Sequence, residues 1–357
     1  TNLESVNSIF TGITKKDQGQ NNYGKATITL TNDVTVCNPE NPGNGSAAVT
    51  LPNDVTLNGD GNTIYASNAW NGTNKSHVLR ITDGNVEIKN VTIVGNEDTK
   101  SGILAWDDPN VSTTVNLTLD AVTVQDCGNA ALQVNSATVT ANNLKTSGNA
   151  WGAVNVDRAS GNNNSPSFTL NGEGTDLQEP TKVWTEIQNP TEDVIKGDSP
   201  IVDTPMKDTN GHTYYGDAIA SVTVGANKTE HATLADAIAY VNGMTDKETH
   251  VTITLQADAT INGSLTLSRG NVTIDGKNKT IHNIGSTEAD AVKQINGAII
   301  VGKDANNVTI QDMTLNTSGR AKHGIQFYCN TDGKLNNVTV NGGAWTAVMV
   351  NGAKVTL

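Results

Sequence analysis

Arginine and cysteine are scarce in this chain. Its four arginines, Arg80, Arg158, Arg269 and Arg320, are spread singly over 357 residues. Against 36 acidic side chains stand 23 Lys and Arg, which leaves a formal net charge of −13. Such a surface repels nucleic acid and anionic membranes. It also offers little with which to grip a polyanionic substrate. The three cysteines, Cys37, Cys127 and Cys329, lie far apart and leave one over, so neither a disulfide framework nor a zinc site follows. Cys127 and Cys329 read as small packing residues. The six histidines are scattered, without metal spacing or a Ser or Cys partner pattern. No apolar run approaches the ~20 residues that cross a bilayer, which predicts no membrane insertion. The chain opens on Thr1 with no apolar leader, and a start at Thr leads us to expect a targeting signal that has been trimmed.

What is abundant is Asn, Thr, Val and Gly, arranged in a recurring phrase: Asn or Asp, an apolar residue, Thr, then Val, Ile or Leu. It begins at Asp33, Asp54, Asn90, Asn271, Asn307, Asp312 and Asn337. Alternating β-branched residues and Thr make a half-buried strand, and the Asn, Asp or Gly before it supplies the bend into the strand. Strands punctuated every ~20 residues predict a coiled solenoid of parallel strands, with Asn and Thr stacked in ladders along it. A second phrase agrees. Gly128-Asn129-Ala130-Ala131-Leu132-Gln133-Val134 returns as Gly148-Asn149-Ala150-Trp151-Gly152-Ala153-Val154, and again from Gly343 to Val350. These repeats resemble right-handed parallel β-helix proteins of the pectate-lyase-like superfamily. The resemblance covers most of the chain and implies an all-β architecture, but that superfamily hosts many unrelated functions.

A larger duplication overlies the coil. Ala26–Leu30 matches Val251–Leu255, Val55–Gly59 matches Val272–Gly276, Asn85–Ile88 matches Asn307–Ile310, and Gly102-Ile103 matches Gly324-Ile325, at offsets of 217 to 225 residues. Two tandem homologous units are therefore expected, 1–180 and 231–357, joined by a connector over 181–230. The connector gathers Pro180, Pro190, Pro200 and Pro205 around its length. Within it, Thr213-Tyr214-Tyr215 and Ser221–Val224 are candidate arms of a small hairpin. Each unit opens on an amphipathic stretch that reads as a short cap helix, Leu3–Phe10 in the first and, after a capping box at Thr233–Asp236, Ala237–Tyr240 in the second. The second unit stops at Leu357 in mid-strand, as a C-terminally truncated copy would. The opening of that unit, His231 to Asn242 followed by Val251 to Gly263, resembles β-helix modules of bacterial cell-surface proteins.

One stretch reads as chemistry. Cys329-Asn330-Thr331-Asp332-Gly333 is similar to the Asn-Thr-Asp signature of polygalacturonases, whose reaction needs three carboxylates converging on one face. That family follows the motif with Asp-Asp, Gly-His-Gly and Arg-Ile-Lys. Here the 25 residues after Asp332 contain no Asp, Glu, His or Arg. Asp107-Asp108 and Gly211-His212 lie upstream, in the wrong order. The stretch reads better as a coil turn. Its counterpart in the duplication is Trp106-Asp107-Asp108-Pro109, so both copies place an aromatic (Trp106, Tyr328) and acids (Asp107, Asp108, Asp332) in one loop. That pattern fits an acidic solvated edge, or a repeated carbohydrate or calcium contact. Asp157-Arg158 is the sole Asp-Arg pair at a strand end, but adjacent strand residues face opposite ways, which weighs against a lyase site.

Trp151 and Trp345 hold the same place in the repeat, either filling a coil corner or facing a ligand. Sequons such as Asn90-Val91-Thr92 fall inside strands, which favours a bacterial source. The expectation is an extracellular bacterial surface module, a monomer that binds carbohydrate or a host surface ligand through Trp106, Asp107, Asp108, Trp151, Asp157, Tyr328, Asp332 and Trp345. It needs no cofactor, though calcium fits the acidic loops. The alternatives are a glycoside hydrolase or polysaccharide lyase with Asp107, Asp108, Asp126 or Asp332 as its acids, and a structural spacer.

Overall fold

The structure is a computed structural model. It describes residues 26–37, 45–68, 70, 76–110, 113–191, 193–203, 205–208, 210–283, 295–303, 305–317 and 321–357. The contact pattern divides the chain into two units, Thr1–Pro205 with Asn210–Gly216, and Met206–Thr209 with Asp217–Leu357. Both are built from parallel strands that pair with the coil above and the coil below.

A coil holds three strands, here called lead, middle and trailing. In the first unit the sequence phrase drives this directly, because Thr and charged residues alternate with aliphatics and only the aliphatics can turn inward. Lead strands pair in order: Val55 with Val86, Val86 with Leu117, Leu117 with Val139 and Val139 with Phe168. Ile88, Leu119, Ala141 and Leu170 stack the same way and are fully buried. Each large aliphatic removed from water in such a stack contributes about 1.5–3 kcal/mol. Trailing strands Ala47–Leu51, His77–Ile81, Ile103–Trp106, Ala130–Asn135, Gly152–Asp157 and Thr181–Thr185 form the opposite wall of the core.

Lead and middle strands fuse in Asn85–Val94 and Asn116–Gln125, where Asn90 and Ala121 kink the chain at φ 50° and 51°. The repeated phrase thus marks two different bends. Asp54, Asn271 and Asn307 take positive φ just before a lead strand, whereas Asn90, Asp312 and Asn337 do so between lead and middle strands. Asn and Asp tolerate this left-handed backbone better than other side-chain-bearing residues. The step per coil is more variable than twenty residues. It is 22 between Gln125 and Ser147 and 36 between Asn271 and Asn307. Loops at the corners absorb most of the difference, and in the 36-residue step the register also slips between Asp275 and Lys279.

In the second unit, Val251–Leu255, Val272–Asn283, Val308–Thr317, Asp332–Asn341 and Lys354–Thr356 form the lead sheet, and Leu265–Leu267, Ile295–Val301, Ala321–Phe327 and Thr346–Val350 the trailing one. Side chains ladder along it. Asn307 Nδ2 donates to Asn271 Oδ1 at 2.9 Å, Asn337 Nδ2 to Asp312 Oδ1 at 2.8 Å, and Asn341 Nδ2 to Asn316 Oδ1 at 2.8 Å. Helix α1 (Leu234–Gly243) starts at Thr233, whose hydroxyl accepts from the Asp236 N–H. Its buried side chains Leu234, Ala237, Ile238 and Val241 join the core of the first coil. The helix expected over Leu3–Phe10 lies outside the described residues.

The stretch 181–230 carries regular structure. Thr181–Thr185 continues the trailing sheet and Ile195–Lys196 the lead sheet of the first unit, both in parallel. The hairpin arms pair elsewhere than expected: Thr213–Gly216 runs antiparallel to Thr181–Thr185, and Ala220–Val224 is flanked by Asn227–His231 and Val251–Leu255, both antiparallel. Tyr215, at the first-unit end, and Val222, at the second, are each buried in their own core cluster, which is what separates the two arms. Among the described residues no helix is long and apolar enough to cross a membrane.

Candidate functional site

Trailing strands of the first unit bury Ile103, Ala105, Leu132, Val134, Val154 and Val156 in the core. Strand alternation therefore turns Leu104, Gln133 and Asn155 away from that core, with Trp106, Asn135 and Asp157 two residues further along. Leu104 and Gln133 are nevertheless buried there, at 2% and 8% exposed, and the other four are half-buried. Register aligns them into two rows. One runs Thr50, Arg80, Leu104, Gln133, Asn155, Trp184, and the other Trp106, Asn135, Asp157. The outer side of these strands thus presents Arg80, Trp106, Asn135, Asn155 and Asp157, all half-buried, while Leu104, Gln133 and Trp184 are covered. Arg80 is pinned there: Nε and Nη2 donate to Thr50 Oγ1 at 3.2 and 3.0 Å, and Nη1 donates to the Gly45 carbonyl at 2.6 Å. Burial draws its pKa down, and the Asp108 charge partly restores it.

Loops wall this face. Asp107 is 3% exposed, and its carboxylate accepts from Asn162 Nδ2 at 3.1 Å and Asn164 Nδ2 at 2.9 Å. Between those coils the Ser136 hydroxyl donates to the Asn164 carbonyl and accepts from the Ala159 N–H. A clamp so tied holds the loop after Ile103–Trp106 to the loop after Gly152–Asp157. Asp108 accepts from the N–H and side-chain amide of Asn110, both at 2.9 Å, a local turn. Asp157 Oδ1 accepts from the Glu186 N–H at 2.7 Å and the Thr185 hydroxyl at 3.2 Å, and Oδ2 accepts from Asn155 Nδ2 at 2.8 Å. Beyond it lies a groove of about 650 Å³ lined by Asp157, Arg158, Ser165, Glu186, Gln188 and Asn189 among others.

Trp151 is 57% exposed and immediately precedes the strand that Asp157 ends, about 20 Å away at ~3.3 Å per residue. Gly152 follows it for a steric reason: at φ 132° a Cβ there would lie 2.6 Å from the Thr181 carbonyl oxygen of the next coil. Trp345 holds the like position in the second unit, before Thr346–Val350, and is 67% exposed. The Lys322 ammonium lies 5.0 Å over its ring and His323 meets it edge-on at 5.9 Å. Both tryptophans face outward rather than fill the coil. Tyr328 is exposed too, and the Thr331 hydroxyl donates to its carbonyl. Asp332 Oδ1 accepts the Asn307 N–H at 2.7 Å, which makes the Asn-Thr-Asp stretch a coil turn with a bonded acid.

The acids proposed for catalysis are dispersed. Asp107 and Asp108 are adjacent in one loop. Asp126 lies in another depression, of about 550 Å³, beside Asn96, Glu97 and Asp98, and Asp332 belongs to the second unit. Under Asp126, burial pushes the Cys127 thiol up to about 12, so it stays protonated. Among the described residues no three or more His, Cys, Asp or Glu side chains are grouped to hold a metal ion. What sequence reasoning passed over is Asn135, Asn155, Glu186 and the loop 186–191. The signal for the first two was present, as polar residues directly after two phrases already seen to repeat.

No family model matches the chain. No curated protein matches it either. A search of solved structures returns a tailspike protein mutant of E. coli bacteriophage HK620 in complex with a pentasaccharide, at 10% identity over 99% of this chain and 63% of that one, with a TM-score of 0.23. The chain spans less than two thirds of that tailspike's length. A TM-score so low carries no weight for fold or function, and the solenoid rests on the strand register given above.

Proposed function

We propose that this chain is an extracellular bacterial surface module of the right-handed, pectate-lyase-like β-helix kind, made of two homologous units that each open on a cap helix. It holds carbohydrate on the outer face of its trailing strands and does no chemistry on it. The observation that carries this reading is the in-register set Asn135, Asn155 and Asp157, half-buried, flanked by Trp106 and leading into the groove at Arg158 and Glu186. Amides and carboxylates at fixed spacing accept and donate to sugar hydroxyls, while an indole covers the apolar face of a pyranose. Asp107 is buried against amide donors, Asp108 closes a local turn, and Asp126 and Asp332 lie elsewhere. The four thus offer no free pair of carboxyl groups across one bond at the ~5–10 Å that glycosidases use, which favours binding over hydrolysis.

A polysaccharide and glycan panel, run as a monomer in solution with and without calcium, tests this. Retention of one or more glycans with no new reducing ends and no unsaturated products is the expected result. Product release would replace the binding reading with the hydrolase or lyase one. Binding to nothing on the panel would favour the spacer.

A further inference from the structure

His231 ends the strand Asn227–His231 two residues before the Thr233 cap of helix α1. It is 3% exposed, and neither ring nitrogen has a hydrogen-bond partner. Its ring instead packs on Tyr240, one helical stretch further on, with centroids 5.1 Å apart. An imidazole so placed can remain neutral at modest cost, but its cation would sit desolvated with no hydrogen-bond acceptor on either ring nitrogen. The surroundings supply little relief. On α1 the titratable groups near it are Asp236 and Tyr240, and Asp236 Oδ2 already takes the Thr233 hydroxyl at 2.6 Å. On its own strand, Lys228 and Glu230 pair with each other at 2.9 Å. The neighbouring Met206–Lys207 strand brings one exposed lysine, and the strands Ala220–Val224, Val251–Leu255, Ala259–Ile261 and Leu265–Leu267 bring no titratable group.

We propose that α1 is an acid-released cover of the second unit: protonation of His231 frees the helix from the first coil and bares Leu234, Ala237, Ile238 and Val241 with the coil edge beneath them. Burial lowers the His231 pKa below 6.5, and the Asp236 charge only partly offsets this. The sign follows. Above pH 6.5 the ring is neutral whether the helix is docked or free, so docking is independent of pH. As pH falls below 6.5 the free form takes a proton that the docked form refuses, and docking weakens until the docked pKa is reached. For each unit of depression the opening constant rises up to about tenfold.

Hydrogen exchange of the full chain between pH 7.5 and 5.0, corrected for intrinsic rates, reads this directly. Amides of 234–243 should lose protection on acidification, by up to about thirtyfold at pH 5.0 for a free pKa of 6.5, while 308–315 keep theirs, and His231→Phe should flatten the response. Unchanged protection of 234–243 in the native chain would overturn the proposal, as would an equal loss in His231→Phe. Should His231→Phe fail to fold, imidazole NMR of the native chain decides: a His231 pKa below 6.5 is required, and one at or above it refutes the switch.

Discussion

Two units written in the same coil grammar treat their trailing strands differently. In the first, long loops follow Ile103–Trp106 and Gly152–Asp157, and they are stitched together through Asp107, Ser136, Asn162 and Asn164. In the second, the chain leaves Ala321–Phe327 and starts the next lead strand at Asp332 after four residues, and the outer row reads Thr266, Ile300, Gln326, Met349. The first face is walled and polar, the second open and more apolar. Core and register are alike in both, so whatever distinguishes the units is carried by corner loops and outward side chains. A solenoid permits this because each coil answers only to its neighbours, and a loop may grow at a corner without disturbing the stack.

The sharpest way to probe the shared part is to empty both cores. Phe168→Ala and Phe327→Ala remove fully buried rings, and each should lower the unfolding free energy by about 3–5 kcal/mol in chemical denaturation. Equal losses support a common scaffold. A negligible loss in either would mean that unit is held by something other than its stacked core. Next in size is the clamp. Asp107→Ala strands two amides and should destabilise by about 1–3 kcal/mol, with faster exchange at 158–166. The second unit has no such tie after Ala321–Phe327 among the described residues, so Asp332→Ala, which removes one acceptor from the exposed Asn307 N–H, should lose only about 0.5–1.5 kcal/mol. A larger effect for Asp332 than for Asp107 would invert the comparison.

The smallest expected stability effects are at the exposed indoles. Trp151→Ala and Trp345→Ala should each shift unfolding by less than about 0.5 kcal/mol, since little is buried there. If the first face alone is the binding face, Trp151→Ala weakens glycan retention by about tenfold while Trp345→Ala leaves it unchanged. Equal losses in the two would place binding on both faces.

Much of the coil was legible because strand period and bend chemistry are local. The phrase at Asn90, Asn271 and Asn337 specifies both the alternation and the left-handed residue that turns into it. Coil length was less legible, since corner loops vary freely. The hairpin arms were misassigned because Tyr215 and Val222 each answer to a core that only tertiary packing defines. At the site, acids and aromatics drew attention, yet Asp107 and Asp332 serve as acceptors for backbone and amide donors. Asn135 and Asn155 looked like ordinary coil letters. Whether a polar letter faces a groove depends on the loop walls beside it, and those walls form through contacts more than fifty residues apart, such as Asn162 to Asp107 at a separation of 55.

Titration calorimetry of the best glycan from the panel, against the native chain and the Asn135→Ala/Asn155→Ala pair, tests the central claim most directly. Carbohydrate held on the walled face of the first unit predicts affinity at least about tenfold weaker in the variant, measured where the variant is still folded, and intact glycan recovered from both. Undiminished affinity in the variant, or cleaved glycan recovered from the native chain, would contradict it.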